Sequence, residues 1–137
     1  MTKVVYISYT TEDLTSQKDA VKQALERIQY TPRLTASSSA RDDSTVDSCY
    51  GDIKSSHIFI GLVGHKLGWV PEHPSNPDNL SIVELEFRQA QKLGIPCLMF
   101  VGDDSVTLRD MDDDRTAIDQ FRKKLLSGNE CLSLIHI

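Results

Sequence analysis

Apolar residues recur along this chain in two periods. Residues 4–7, Val-Val-Tyr-Ile, form a short, nearly continuous apolar run, the pattern of a strand buried on both faces. The hydroxyls and acids of residues 10–15 suit a helix start. Val21, Ala24, Leu25 and Ile28 then fall at i, i+3, i+4 and i+7, which predicts one buried helical face. Past Pro32 the chain predicts a short strand over 33–36, and residues 37–44 are polar enough to read as a loop. A second helix is predicted over 45–54, carrying Val46, Cys49, Tyr50 and Ile53 on one face. The run 57–63 is the strongest central strand.

Residues 64–79 hold Pro71, Pro74 and Pro77, which excludes a regular element. Ser81 and Glu84 stand in capping-box spacing, each able to satisfy the other's orphan amide. The helix they open should run to about residue 93, closed by Gly94 and Pro96. A fourth strand is predicted over 96–101 and a fourth helix over 113–127, with Ile118, Phe121 and Leu125 inward. Strands alternating with helices imply a parallel sheet with crossover helices. The expected fold is doubly wound α/β: a flavodoxin-like three-layer sandwich around a four- to five-stranded parallel sheet. In such sheets ligands bind beyond the carboxyl ends of the strands, at the topological switch point. That rule selects residues 8–13, 61–69 and the start of the helix at Ser81.

Composition narrows the class. The 137 residues carry a net charge of −5, with 39% hydrophobic and 26% charged residues, which suits one domain with its own core. No basic stripe offsets the acidic balance, so nucleic acid is not an expected partner. Cys49, Cys97 and Cys131 are widely spaced and form no CxxC pair, which excludes a disulfide framework and suits a reducing, cytoplasmic setting. No signal-peptide core and no apolar run near the roughly 20 residues of a membrane span is present, so no membrane role is expected.

Residues 1–131 read as the domain, and 132–137 stand apart. Leu-Ser-Leu-Ile-His-Ile back-translates as CTG TCT CTT ATA CAC ATC, which resembles a transposon end used to build sequencing libraries. The segment is therefore expected to be either a non-native, adapter-derived tail on a truncated gene or a genuine edge strand.

Several segments together carry a family likeness. Residues 4–14, Val-Val-Tyr-Ile-Ser-Tyr-Thr-Thr-Glu-Asp-Leu, resemble the opening V-F-I-S-S-T-x-x-D-L of a TIR-like family of unknown function. Members of that family often begin larger bacterial proteins with NTPase modules. Residues 58–68 are similar to its I-F-I-G-I-L-G-H-R-Y-G strand and loop, and 81–87 with Ala90 and Gly94-Ile95-Pro96 to its S-I-T-E-L-E-Y-x-x-A…G-K-P. The resemblance spans roughly residues 3–128. It implies a TIR-like fold, with distant kinship to TIR NADases and nucleoside deoxyribosyltransferases. In both groups a Glu near the start of this helix handles a ribose joined to a base, and Glu86, four residues before Ala90, falls at that place. The enzymatic pattern has an aromatic residue four positions before the Glu, where this chain has Ile82.

The chemistry expected of the site follows. A carboxylate beside the ribose can stabilise an oxocarbenium-like state or act as nucleophile, which makes Glu86 the catalytic candidate; otherwise it is a Glu favoured by the positive helix end. Ser8, Tyr9 and Thr10 offer hydroxyls and amides for phosphate, or simple turn chemistry. His65 is a candidate for phosphate or a substrate carboxylate, Trp69 for stacking, and Ser81 and Glu84 for binding at the helix start. No histidine has metal-ligand spacing, so no metal site is expected. The aspartates between 103 and 114 lack the calcium-loop pattern, and Arg41 reads as an anion contact or a solvated side chain.

The resemblance implies a domain binding an NAD-type nucleotide, as ligand or as substrate for cleavage of the nicotinamide N-glycosidic bond, in bacterial defence or signalling. It needs no separate cofactor. The second reading is a non-catalytic module that self-associates through residues 37–44 as a homo-oligomer and signals to a missing C-terminal effector or NTPase module. The third is a nucleoside deoxyribosyltransferase-like enzyme, a class usually complete at about this length and so disfavoured for a truncated chain.

Overall fold

The computed structural model describes residues 2–10, 14–34, 43–102, 116–127 and 133–136. Among the described residues five strands, β1 (Val4–Tyr9), β2 (Thr31–Leu34), β3 (Ile58–Val63), β4 (Cys97–Val101) and β5 (Ser133–His136), alternate with four helices. These are α1 (Thr15–Arg27), α2 (Asp43–Lys54), α3 (Ile82–Lys92) and α4 (Thr116–Leu126). All strand pairs are parallel, in the order β2-β1-β3-β4-β5. The expected α/β three-layer architecture is the observed one. The chain leaves β1 toward β2 and returns past it to β3, so the switch point lies between β1 and β3, where Ser8 registers with Gly61.

Strand alternation sorts the core into two layers. Tyr6, Phe59, Val63, Met99 and Val101 face the layer shared with α2, α3 and α4, whereas Val5, Ile7, Tyr9, Ile60 and Leu62 face the layer under α1. A row of rings ties the first layer together. Tyr6 stacks on Phe59 at 5.9 Å, Phe59 meets Phe87 at 6.3 Å, and Phe87 meets Phe121 at 6.1 Å. Contacts of this kind add about 0.5–1.5 kcal/mol each beyond the burial of the rings. Gly61 makes room in the same layer, because a Cβ there would sit 2.4 Å from the Met99 Cε.

Several expectations need correction. β2 begins at Thr31 rather than 33 and takes in Pro32, which an edge strand tolerates because one of its sides needs no ladder donor. α1 starts from a buried Leu14 whose side chain makes no cap bond, so no hydroxyl caps that end. Its inward face is Leu25 with half-buried Val21, while Ala24 is exposed and Ile28 is 60% exposed. Ile28 is the C-cap, after which Gln29 takes a left-handed φ of 64°. The Gln29 amide then donates to the Glu26 carbonyl and the Tyr30 amide to Leu25. This Schellman closure swings Tyr30, not Ile28, onto the core.

α3 ends in the same way at Gly94, φ 73°, with the Gly94 amide on Gln91 and the Ile95 amide on Ala90. Ser81 caps α3 through the Glu84 amide, but the Glu84 carboxylate accepts from Arg88 at 2.9 Å, so only half of the expected capping box forms. Residues 133–136 pair with β4 as an edge strand, Leu98 against Ser133, as an apolar β-branched segment of either origin would. The acidic stretch, Arg41 and the polar loop over 37–42 lie outside the described residues. No helix among the described residues is long and apolar enough to cross a membrane.

The two helix ends give opposite tests of one principle. Gln29→Gly should raise stability by about 0.5–1 kcal/mol, because glycine carries no left-handed penalty. Gly94→Ala should lower it by about 1 kcal/mol, although the space around Gly94 is open. Urea denaturation of the two variants measures both.

Candidate functional site

At the switch point the sheet and α3 meet through a carboxylate. Glu86 lies in the second turn of α3 and has no solvent exposure. Its Oε1 accepts the Ser8 hydroxyl at 2.8 Å, and its Oε2 accepts the Tyr6 hydroxyl. Tyr6 and Ser8 stand two residues apart on β1 and therefore share the face that meets α3. A buried carboxylate is costly unless donors surround it, and these hydroxyls supply that role across the interface between β1 and α3.

The three segments selected by the carboxyl-edge rule are joined in space. Ser8 meets Glu86; Thr10 packs on the loop at Gly68, where a Cβ would be 3.1 Å from the threonine methyl; and the Ile82 amide donates to the Trp69 carbonyl at 2.8 Å. Gly68 has φ 76°, a conformation that favours glycine. Thr10 and His65 are buried at 6% and 2% exposure. Trp69 is half-buried against the first core layer.

Tyr9 does not join this group. It faces the opposite layer, where the Lys18 ammonium stands 5.6 Å from its ring centre. Asp19, 2.6 Å away, pushes the Lys18 pKa up from the ordinary lysine value. Ser81 and Glu84 open instead onto a cleft of about 260 Å³ between the start of α3 and α4, lined also by Leu67, Asn79, Arg88 and Phe121. The candidate residues thus divide between a closed hydrogen-bonded centre and an open flank.

Sequence reasoning missed the groups that hold this arrangement. In the sequence Tyr6 is one apolar residue of a strand, although a buried tyrosine hydroxyl demands a partner. Arg122, 6% exposed, donates from α4 to the Gly64 carbonyl at 3.1 Å and the Gly102 carbonyl at 2.6 Å. It clasps the ends of β3 and β4 just before His65. Its place beside Phe121, inside the apolar stripe of α4, was the available signal. Asn76, 5% exposed, donates to the Pro71 and Leu80 carbonyls and accepts from the Leu80 amide at 2.7 Å. This side chain ties residues 71 and 80 of the proline-rich loop together.

Chemically, the centre holds one fully buried carboxylate, met by two hydroxyls, beside the carboxyl ends of β1 and β3. Among the described residues no group of three His, Cys, Asp or Glu side chains is placed to hold a metal ion. A family model described as "Domain of unknown function (DUF4062)" matches residues 4–134. No curated protein matches the sequence.

The buried centre predicts a definite cost. Tyr6→Phe removes one donor from the Glu86 carboxylate and keeps the ring, so it should destabilise the fold by about 1–3 kcal/mol. Chemical denaturation with an unchanged slope checks the loss.

Proposed function

The chain belongs to the DUF4062 family, and on that premise we propose that it binds an NAD-type nucleotide at the carboxyl edge of β1 and β3. Glu86 is the carboxylate directed at the ribose. The observation that supports this reading is the Tyr6–Glu86–Ser8 cluster, which lies at the switch point where parallel sheets bind ligands. Cleavage of the nicotinamide bond passes through a cationic ribosyl state, and a pre-oriented carboxylate stabilises such charge. Thr10 and the Gly68 turn border the same edge, and His65 and Trp69 belong to the loop that closes it. In this reading the domain serves bacterial defence or signalling, acts as a homo-oligomer, and passes its state to an effector or NTPase module of the longer protein.

A second reading, a signalling module without turnover, draws support from the complete burial of Glu86. Ile82, where enzymatic TIR domains carry an aromatic residue, points the same way.

Incubating concentrated protein with NAD and scoring free nicotinamide separates the two. The proposal expects release by the wild type and a loss of at least about 100-fold in Glu86→Gln, the scale of removing a group that stabilises transition-state charge. Absence of both nicotinamide release and an NAD-dependent thermal shift would leave the signalling reading. Full turnover in Glu86→Gln would remove Glu86 from the chemistry.

A further inference from the structure

The loop between β3 and α3 holds a second constellation, built on the α2 side from residues that the nucleotide reading does not use. The His73 ring bridges two side chains: its Nδ1 lies 2.8 Å from the Ser75 Oγ and its Nε2 lies 3.0 Å from the Asp47 Oδ1. The Ser75 backbone amide also donates to Nδ1, at 3.1 Å. A backbone N–H only donates, so Nδ1 holds a lone pair and the ring proton sits on Nε2, where it donates to Asp47. The same lone pair faces the Ser75 hydroxyl proton. The Tyr50 hydroxyl stands 2.9 Å from the Ser75 Oγ; when Ser75 donates to His73 Nδ1, its oxygen accepts from Tyr50.

The arrangement is held from several sides. Tyr50 and His73 meet edge to face at 6.1 Å, and the Asn76 amide donates to the His73 carbonyl at 2.8 Å. The His73 side chain is 10% exposed, whereas Ser75 lies open at the surface. A nucleophile within hydrogen-bond reach of a base, with that base oriented by a third group, is the arrangement that activates a serine.

We propose that Ser75 is a nucleophilic serine, with His73 as its general base and Asp47 as a positioning residue, and that it accepts acyl groups from small activated esters. The Ser75 Oγ attacks the ester carbonyl carbon while its proton passes to His73 Nδ1. Collapse of the tetrahedral state breaks the bond to the alkoxy oxygen, which leaves with the proton from His73. Water then attacks the acyl-serine, giving its proton to Nδ1, and the carboxylic acid departs as Ser75 regains its hydrogen. Tyr50 lies beside the attacking oxygen, with its hydroxyl 2.9 Å from the Ser75 Oγ. Asp47 is 68% exposed, so solvent screens it and its influence is the smaller of the two partners.

An alkyl fluorophosphonate tests this directly, because the Ser75 Oγ would form the bond to phosphorus as fluoride leaves. The full chain is incubated with the probe and followed by intact-mass and peptide mass spectrometry, with circular dichroism confirming that each variant is folded. A single adduct on Ser75 is expected, forming at least about 100-fold more slowly in His73→Gln. Labelling about tenfold slower in Asp47→Asn, restored by Asp47→Glu, marks the positioning role, since a tenfold change corresponds to a modest orienting effect. No adduct, an adduct on another residue, or equal labelling of His73→Gln overturns the proposal.

Discussion

A carboxylate withdrawn entirely from water must be met by donors, and that requirement fixes how α3 sits on the sheet. Glu86 is received by hydroxyls that β1 supplies two residues apart, Tyr6 and Ser8. Tyr6 and Ser8 share one face of β1, so a slip by a single residue would turn both away from α3 and leave the carboxylate facing Val5 and Ile7. Burial of an unpaired acid costs several kcal/mol by order of magnitude, so the cluster selects against misregistered packings as well as stabilising the native one. The aromatic row from Tyr6 through Phe59 and Phe87 to Phe121 begins at the same tyrosine. Polar specification and apolar packing therefore share one residue.

That junction also organises the carboxyl edge. With α3 fixed over β1, the Ile82 amide falls against the Trp69 carbonyl, and Ser81 caps the helix by accepting from the Glu84 amide. The loop from Gly64 is then held at both ends, by Arg122 at its start and by Asn76 near its finish. The loop has no regular structure, yet several of its backbone groups are met by side chains: Gly64 by Arg122 of α4, and Pro71 and Leu80 by Asn76 from within the loop. The same loop carries His65 and, on its α2 side, the His73 and Ser75 that meet Asp47 and Tyr50.

Much of the architecture was legible in the chain because it depends on period and on local punctuation. The apolar runs of β1, β3 and β4, the inward stripe of α3 and the Gly94 stop all stand where hydrophobic alternation and turn chemistry place them. Ile28 departs from the helical pattern because α1 stops one residue before it, and the left-handed position that follows is Gln29 rather than a glycine that would announce the stop. Glu86 was legible as a candidate only through resemblance. Its partners were not, since a hydroxyl on β1 and a carboxylate 78 residues away share no local pattern. Arg122 and Asn76 were missed for the same reason, because each bonds to backbone that tertiary packing brings to it. The tautomer and partners of His73 likewise emerge only when α2 and the loop are set side by side.

The central claim is that the Glu86 carboxylate is the group a nucleotide meets at the junction of β1 and β3. Its most direct test is the carbon-13 resonance of the Glu86 side-chain carboxyl, followed while NAD is titrated into labelled protein. The account predicts a saturable shift of that resonance, with the Ser8 and Thr10 amides moving at the same ligand concentration. A titration in which Glu86 and Ser8 stay unmoved while NAD reaches millimolar excess would contradict it.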